Sequence, residues 1–188
     1  MTTTPVSLLQ RLRRSPARQD WDRLIELYTP LLYYWARRVG LQQADAADLV
    51  QDVLVVLVRK LPEWDYDPRK SFRNWLRTIT LNRWRESVRR HKGDPVDPAA
   101  PVLAELPAPD DGNLLGEEEY RTQLVKRALE LMRTTFQPAT WQACWEVVVN
   151  GRPAQEVGRQ FGLSLAAVYA AKSRVLRRLR QELEGLLD

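Results

Sequence analysis

The stretch that most constrains the fold of this chain runs from Asp45 to Lys92 and has the spacing of two helices. Residues 45–61 are apolar almost all round between Val53 and Val58, which is typical of a helix buried in a small domain. Residues 71–92 place aromatic and aliphatic side chains at helical spacing, namely Phe72, Trp75, Leu76 and Ile79. The pattern predicts an all-α chain.

The polar residues of this stretch are segregated between the two helices. Asp45, Asp48 and Asp52 fall at i, i+3 and i+7 and so share one face, with Gln51 beside them. The second helix becomes basic towards its end, with Arg83, Arg85, Arg89, Arg90 and Lys92. An acidic stripe on one helix and a basic, aromatic surface on the other predict a protein partner on one side and nucleic acid on the other.

Charge along the chain is strongly uneven. Residues 1–92 carry a net charge of +8, residues 93–119 carry −8 and residues 120–188 carry +5. Two basic lobes around an acidic middle favour nucleic acid contacted by both lobes. The alternative is a basic protein without a polyanionic partner.

The same division predicts the domain organisation. Residues 1–92 are expected to form a helical domain, residues 93–116 an acidic, Pro-rich linker, and residues 117–188 a second helical domain. Asp20 and Ser71 are predicted helix N-caps, and Gly40 suits the position after a helix end. Pro30 is expected to kink or divide its helix.

The last stretch of the chain has helix-turn-helix spacing. Residues 154–161 predict the first helix, Gly162 the sharp turn and Ser164 the cap of the second helix, while Gly158 is small where the helices must cross closely. Val168 is expected to face the core. The opposite face carries the candidate major-groove contacts Ser164, Tyr169, Lys172, Ser173, Arg174, Arg177 and Arg178. The alternative is a helical hairpin with a solvated basic face.

Cations and aromatic residues also surround residues 64–70. Single-stranded DNA is bound by cations along its backbone and by aromatic pockets around its bases. The candidate residues are Trp64, Tyr66, Arg69, Lys70, Asn82, Arg83, Arg85 and Arg89, with Trp84 undecided. Trp64 and Tyr66 have the alternative of capping the core, and Trp75 is expected to pack in it.

Residue types that support catalysis are scarce. One cysteine and one histidine disfavour a zinc site and an internal disulfide framework. The three aspartates could bind Mg²⁺, but no further Glu/His cluster stands near them, and no phosphate loop or nucleophile motif is present. We therefore expect no enzyme activity, metal or cofactor. The chain has no membrane-spanning run and no signal-peptide core, so we expect a cytoplasmic location.

Two segments, DLVQDVLVVLVRKL and FRNWLRTITLNRWRESVRR, are similar to region two of bacterial sigma factors of the extracytoplasmic function group. The helix-turn-helix resembles their region four. The resemblance covers residues 21–92 and about 117–183. It implies a non-enzymatic subunit that recruits core RNA polymerase through its β′ and β subunits and contacts promoter DNA, both duplex and single-stranded. An anti-sigma factor is a further candidate partner.

The resemblance also implies roles for individual residues. Asp48, Gln51 and Asp52, with Asp45 beside them, would dock on a coiled coil of β′. The loop at residues 64–71, with Asn82 and its neighbours, would capture a flipped base of the minus-ten element. The basic face of the last helix would lie at the minus-35 element.

Two departures from the family pattern bear on the promoter sequence, and two other functions are left as alternatives. Many relatives have Val directly before the Lys-Ser-Arg run, where this chain has Ala171, so Tyr169-Ala170-Ala171 is expected to change which side chains reach bases. The segment QPATWQACW also differs from the more usual Leu-Pro opening of region four. An autonomous helix-turn-helix regulator would need no acidic docking face. A metal-dependent nucleic-acid enzyme would need divalent metal for activity.

Overall fold

The structure is a computed structural model that describes residues 7–14, 17–64, 71–92 and 116–187. All regular structure in these ranges is helical, which confirms the predicted all-α class. Short 3₁₀ turns lie at Leu61–Glu63 and Arg133–Thr135. The α-helices are α1 (Leu8–Arg14), α2 (Arg18–Arg38), α3 (Gln43–Lys60), α4 (Phe72–Lys92), α5 (Glu117–Met132), α6 (Pro138–Val148), α7 (Ala154–Phe161) and α8 (Leu165–Leu183).

Contacts among the described residues group the chain into two compact units. The N-terminal unit comprises residues 8–124 with 185–187, and the helix-turn-helix unit comprises residues 125–184 with Ser7. This grouping differs from the predicted domain boundaries, because the first half of α5 and the C-terminal tail belong to the N-terminal unit. The predicted linker, apart from Gly116, lies outside the described residues.

Four complete helices, the first half of α5 and a buried aromatic cluster build the N-terminal unit. In sequence order α2 packs on α3 and α3 on α4, while α1 packs on α2 and on the 3₁₀ turn at Leu61–Glu63. The ring of Tyr28 lies 5.6 Å from that of Phe72 and 6.4 Å from that of Tyr120. All three side chains are fully buried. Residues from three distant parts of the chain therefore share one core.

A chain of buried hydrogen bonds fixes this cluster. The hydroxyl of Tyr120 donates to the carbonyl oxygen of Leu186 at 2.7 Å and lies 2.8 Å from the hydroxyl of Tyr28. Because Tyr120 uses its single proton on Leu186, Tyr28 must donate to Tyr120. Burial raises the pKa of Tyr28 well above its ordinary value, and the neighbouring Tyr120 raises it further.

The helix boundaries test several predictions at α2. Asp20 is not an N-cap, because α2 begins at Arg18 after Ala17; instead it accepts a 2.7 Å bond from Arg11. Pro30 does not divide the helix, which continues to its predicted end, where Gly40 has a φ of 92°. The N-cap prediction was wrong because α2 begins two residues before Asp20, which places Asp20 inside the first turn of the helix.

The cap predicted at the start of α4 is confirmed. The backbone N–H of Asn74 donates to Oγ of Ser71 at 3.1 Å, and α4 begins at the next residue, Phe72. Ser71 therefore satisfies one of the N–H groups that a helix start leaves without an internal partner.

The helix-turn-helix unit closes around a small apolar cluster of Ala143, Val157, Val168 and Ala171. A Cβ added at Gly158 would lie 2.7 Å from the carbonyl oxygen of Leu163, so only glycine allows this close approach. Gly162 has a φ of 66°, as the sharp turn requires. Ser164 caps α8 by accepting a 3.1 Å bond from the N–H of Ala167, as predicted.

Candidate docking and nucleic-acid interfaces

The acidic stripe lies on the outer face of α3. The opposite side of the helix, with Leu49 and Val53, is buried in the N-terminal unit. Asp48 and Gln51 are exposed, and Asp52 is partly exposed. Asp45 lies in the first turn of α3, where a carboxylate is stabilised by the helix dipole.

Two valines extend this face towards the end of the helix. Val55 is 48% exposed and Val58 is 40% exposed, although the apolar run around them predicted a helix buried almost all round. That expectation was wrong because α3 is covered by α2 and α4 on one side only. We call the exposed set Asp48, Gln51, Asp52, Val55 and Val58 the α3 face. It joins carboxylates to apolar surface, a combination that suits a protein partner.

The α3 face is joined to α4 by an ion pair. Nη2 of Arg90 lies 3.1 Å from Oδ2 of Asp52, and the two side chains are 55% and 42% exposed. The pair connects a residue predicted to dock on a protein with the basic end of the helix predicted to contact DNA.

Aromatic packing brackets the loop predicted to bind a base. The ring of Trp64 stacks on Trp75 at 5.3 Å and meets Phe72 edge-on at 5.7 Å. Trp64 is only 9% exposed, so it occupies the core-capping position that the sequence left open. Its contact with DNA stays a prediction. Tyr66, Arg69 and Lys70 lie outside the described residues.

The predicted DNA residues of α4 are partly exposed rather than fully solvated. This group consists of Asn82, Arg83, Arg85 and Arg89. Arg83 is paired with Glu86 one turn later at 2.6 Å. Arg90, seven residues after Arg83, lies on the same helix face. Both of these cations are neutralised by carboxylates within the chain.

The outer face of α8 presents a mixed polar and basic surface. Tyr169 is 52% exposed, and Ser173, Arg174 and Arg177 are also exposed. We call these four residues with Arg180 the α8 face. Of the other predicted contacts, Lys172 lies at the edge, and the hydroxyl of Ser164 serves the helix cap.

Two other residues of α8 make contacts within their own unit. Arg178 pairs with Glu182 at 2.7 Å, one turn along the helix. Ala171 is 5% exposed and belongs to the apolar cluster, so its side chain faces the core of the unit. Its substitution changes core packing, whereas Tyr169 and Ala170 are exposed.

Comparison with known proteins agrees with this geometry. Residues 24–93, which include α3 and α4, match the family model Sigma-70 region 2. The chain is 27% identical over 171 residues to the ECF RNA polymerase sigma factor SigE of Mycolicibacterium smegmatis. It is 29% identical over 158 residues to the RNA polymerase sigma factor CnrH of Cupriavidus metallidurans. The region 2 match and the names of these relatives support an extracytoplasmic function (ECF) type of sigma factor.

The extent of these matches differs between relatives. The SigE match covers 91% of this chain and 63% of the relative, and the CnrH match covers 81% of this chain and 78% of the relative. The probable RNA polymerase sigma factor RfaY of Xanthomonas campestris pv. campestris is 29% identical over 149 residues, 77% of this chain and 36% of the relative. The chain thus spans less than two thirds of the length of the first and third of these proteins.

Sequence reasoning missed three features of the candidate interfaces of this chain. Val55 and Val58 were assigned to the core, and Arg180 was left out of the α8 face. Arg180 follows Arg177 by three residues and Tyr169 by eleven, so helical spacing alone places it on the same face. For the valines the missing information was which side of α3 its neighbours cover.

Other chemistry is limited in the part of the chain that the structure describes. Burial raises the pKa of the Cys144 thiol, and the nearby Lys172 opposes this shift only partly, so the thiol is a poor nucleophile. No group of three or more His, Cys, Asp or Glu side chains in the described ranges could hold a metal ion. Among the described helices, none has the length and apolar character needed to cross a bilayer.

Proposed function

We propose that this chain is a non-enzymatic initiation subunit that docks on core RNA polymerase through the α3 face, acting in the cytoplasm. The observation that carries the proposal is the α3 face itself: carboxylates and exposed valines on a helix inside a Sigma-70 region 2 match. A purely DNA-binding protein gains nothing from such a surface. Its partner would be a basic and apolar surface on β′, with β as a further contact.

DNA recognition is proposed for two other surfaces. The α8 face would read the minus-35 element in the major groove, where exposed arginines suit phosphates and guanine edges. The loop at residues 65–70, with the basic side of α4, would bind the single-stranded minus-ten element and help melt the duplex. Trp64 would support this loop from the core side, because its ring is packed against Phe72 and Trp75.

The decisive experiment measures the affinity of the full chain for core RNA polymerase. Asp48→Arg combined with Asp52→Arg should abolish binding, because it turns the acidic part of the α3 face basic. The matched control is Asp22→Arg combined with Glu26→Arg, which makes the same change in net charge at exposed positions of α2. The control should bind as the unmodified protein does.

Three outcomes would contradict the proposal. Core polymerase that fails to bind the unmodified chain, or that binds both variants equally, would remove the sigma-factor role. Tight, sequence-specific binding of the free chain to duplex promoter would favour an autonomous helix-turn-helix regulator instead. An anti-sigma partner would be expected to compete with core polymerase in the same assay.

A further inference from the structure

The ion pair between Asp52 and Arg90 connects two surfaces for which different partners are proposed. Asp52 belongs to the α3 face, one turn after Asp48 and three residues, nearly one turn, before the exposed Val55. Arg90 belongs to the last turn of α4, on the side that also carries Arg83. With its Nη2 atom 3.1 Å from Oδ2 of Asp52, Arg90 neutralises a carboxylate that a basic partner would need.

Because the ion pair between Asp52 and Arg90 is exposed, another charged group can replace either partner. Both side chains remain about half in solvent, so each can exchange its partner without opening the core. Exposed ion pairs of this type contribute little to stability. A cation from a docking protein that approaches Asp52 would also repel the guanidinium of Arg90, because like charges at this distance disfavour one another.

The arginine on the same side of α4 behaves differently. Arg83 is paired with Glu86, which lies on α4 itself and is no part of the α3 face. Docking on α3 would leave that pair unchanged. The link between the two surfaces therefore passes through Asp52 and Arg90.

We propose that Arg90 competes with core polymerase for Asp52, and that docking releases Arg90 to contact a DNA phosphate. The inference rests on the proposed function of the α3 face. In the free protein the pair lowers the availability of both surfaces. In the complex the polymerase occupies Asp52 and the cation becomes available to DNA. Because coupling between binding sites is reciprocal, DNA bound at Arg90 would strengthen polymerase binding by the same factor.

The test uses Arg90→Gln in the full chain. This variant should bind core polymerase roughly twofold to fivefold more tightly, the range expected for loss of an exposed ion pair. In an Asp52→Asn background the same substitution should give no gain. Arg18→Gln is the matched control, because it removes an equivalent charge from an exposed pair with Asp22 on α2 that is no part of the α3 face, and it should leave polymerase affinity unchanged.

A second measurement follows Arg90 in the assembled complex. There Arg90→Gln should weaken promoter binding and reduce the slope of log affinity against log salt by about one, as expected for one lost phosphate contact. A residue that only stabilises the fold would not strengthen one interaction while weakening the other.

The outcomes separate this inference from the proposed function. Polymerase binding that is lost with Asp48→Arg but unchanged or weakened by Arg90→Gln would overturn the competition and leave the docking face standing. If Arg90→Gln binds polymerase more tightly but leaves the salt slope of promoter binding unchanged, the proposed release of Arg90 to DNA is overturned. No binding of the unmodified chain to polymerase would overturn both proposals.

Discussion

The two units of this protein differ in how far apart in sequence their structural residues lie. In the helix-turn-helix unit the turn is fixed by neighbours, since Gly158 meets Leu163 and Ser164 caps α8 through Ala167. In the N-terminal unit Tyr120 joins Tyr28 across 92 positions and Leu186 across 66. The helix-turn-helix unit can be predicted from short sequence patterns. The N-terminal unit depends on contacts between distant residues, which no local pattern indicates.

Among the substitutions that test this difference between the two units, Tyr120→Ala should have the largest effect on stability. It removes a fully buried aromatic ring and both of its hydrogen bonds, which we expect to lower the free energy of unfolding of the N-terminal unit by about 3–5 kcal/mol. Hydrogen exchange should show the loss in α2 and α4. Tyr169→Ala, a tyrosine 52% exposed in the other unit, is the matched control and should stay within about 0.5 kcal/mol. Equal losses in the two variants would contradict the long-range role of Tyr120.

Gly158→Ala tests the local closure of the helix-turn-helix unit. In an ordinary helix this change stabilises by about 0.5–1 kcal/mol. Here the added Cβ would lie 2.7 Å from a backbone oxygen, so we expect destabilisation of about 1–3 kcal/mol, measured by denaturant unfolding. The sign of the change in the free energy of unfolding is the internal control, because it is opposite to that of an ordinary helix. A stabilised variant would show that α7 and the turn can separate at no cost.

Arginine substitutions on α8 sharpen the description of its outer face. Arg174→Ala and Arg177→Ala, like Lys172→Ala, should weaken promoter binding by the polymerase complex, and each should lower the salt slope by about one. Arg178→Ala should have a smaller effect, because its side chain is paired with Glu182. Measurement is by fluorescence anisotropy on promoter DNA at several salt concentrations. Equal effects at all four positions would mean that the ion pair of Arg178 opens in the complex.

Alkaline unfolding gives the smallest expected difference. The pKa of Tyr28 is raised in the folded state, so above the ordinary value of 10.0 the unfolded chain releases a proton that the folded chain retains. The free energy of unfolding should therefore fall as the pH rises above about 10, by at most about 1.4 kcal/mol per pH unit from this group. Tyr28→Phe should remove that part of the decline, and the exposed Tyr169→Phe should not. Parallel pH profiles for all three proteins would contradict the assignment.

Short-range chemistry accounts for what the sequence predicted correctly. The bounds of α7, the cap at Ser164, the turn at Gly162 and the cap at Ser71 each depend on residues a few positions apart. The shared face of Asp48, Gln51 and Asp52 follows from helical periodicity alone.

The remaining features depend on which surfaces are covered by distant parts of the chain. Val55 and Val58 have the composition of core residues, and only the positions of α2 and α4 show that one side of α3 is open. The membership of Tyr120 in the N-terminal core could not be predicted, because Glu117 to Glu119 before it mark only an ordinary helix start. The pairing of Arg90 with Asp52 spans 38 positions and has no local signature.

The aromatic packing of Trp64, Phe72 and Trp75 has a consequence for how such proteins diversify. These rings, together with the Ser71 cap, lie at the two ends of the segment 65–70. Because these flanking contacts come from residues outside the segment, we expect selection to act on residues 65–70 without removing these contacts. Exchanging the segment as a cassette between related chains offers a direct route to new promoter preferences on an unchanged scaffold.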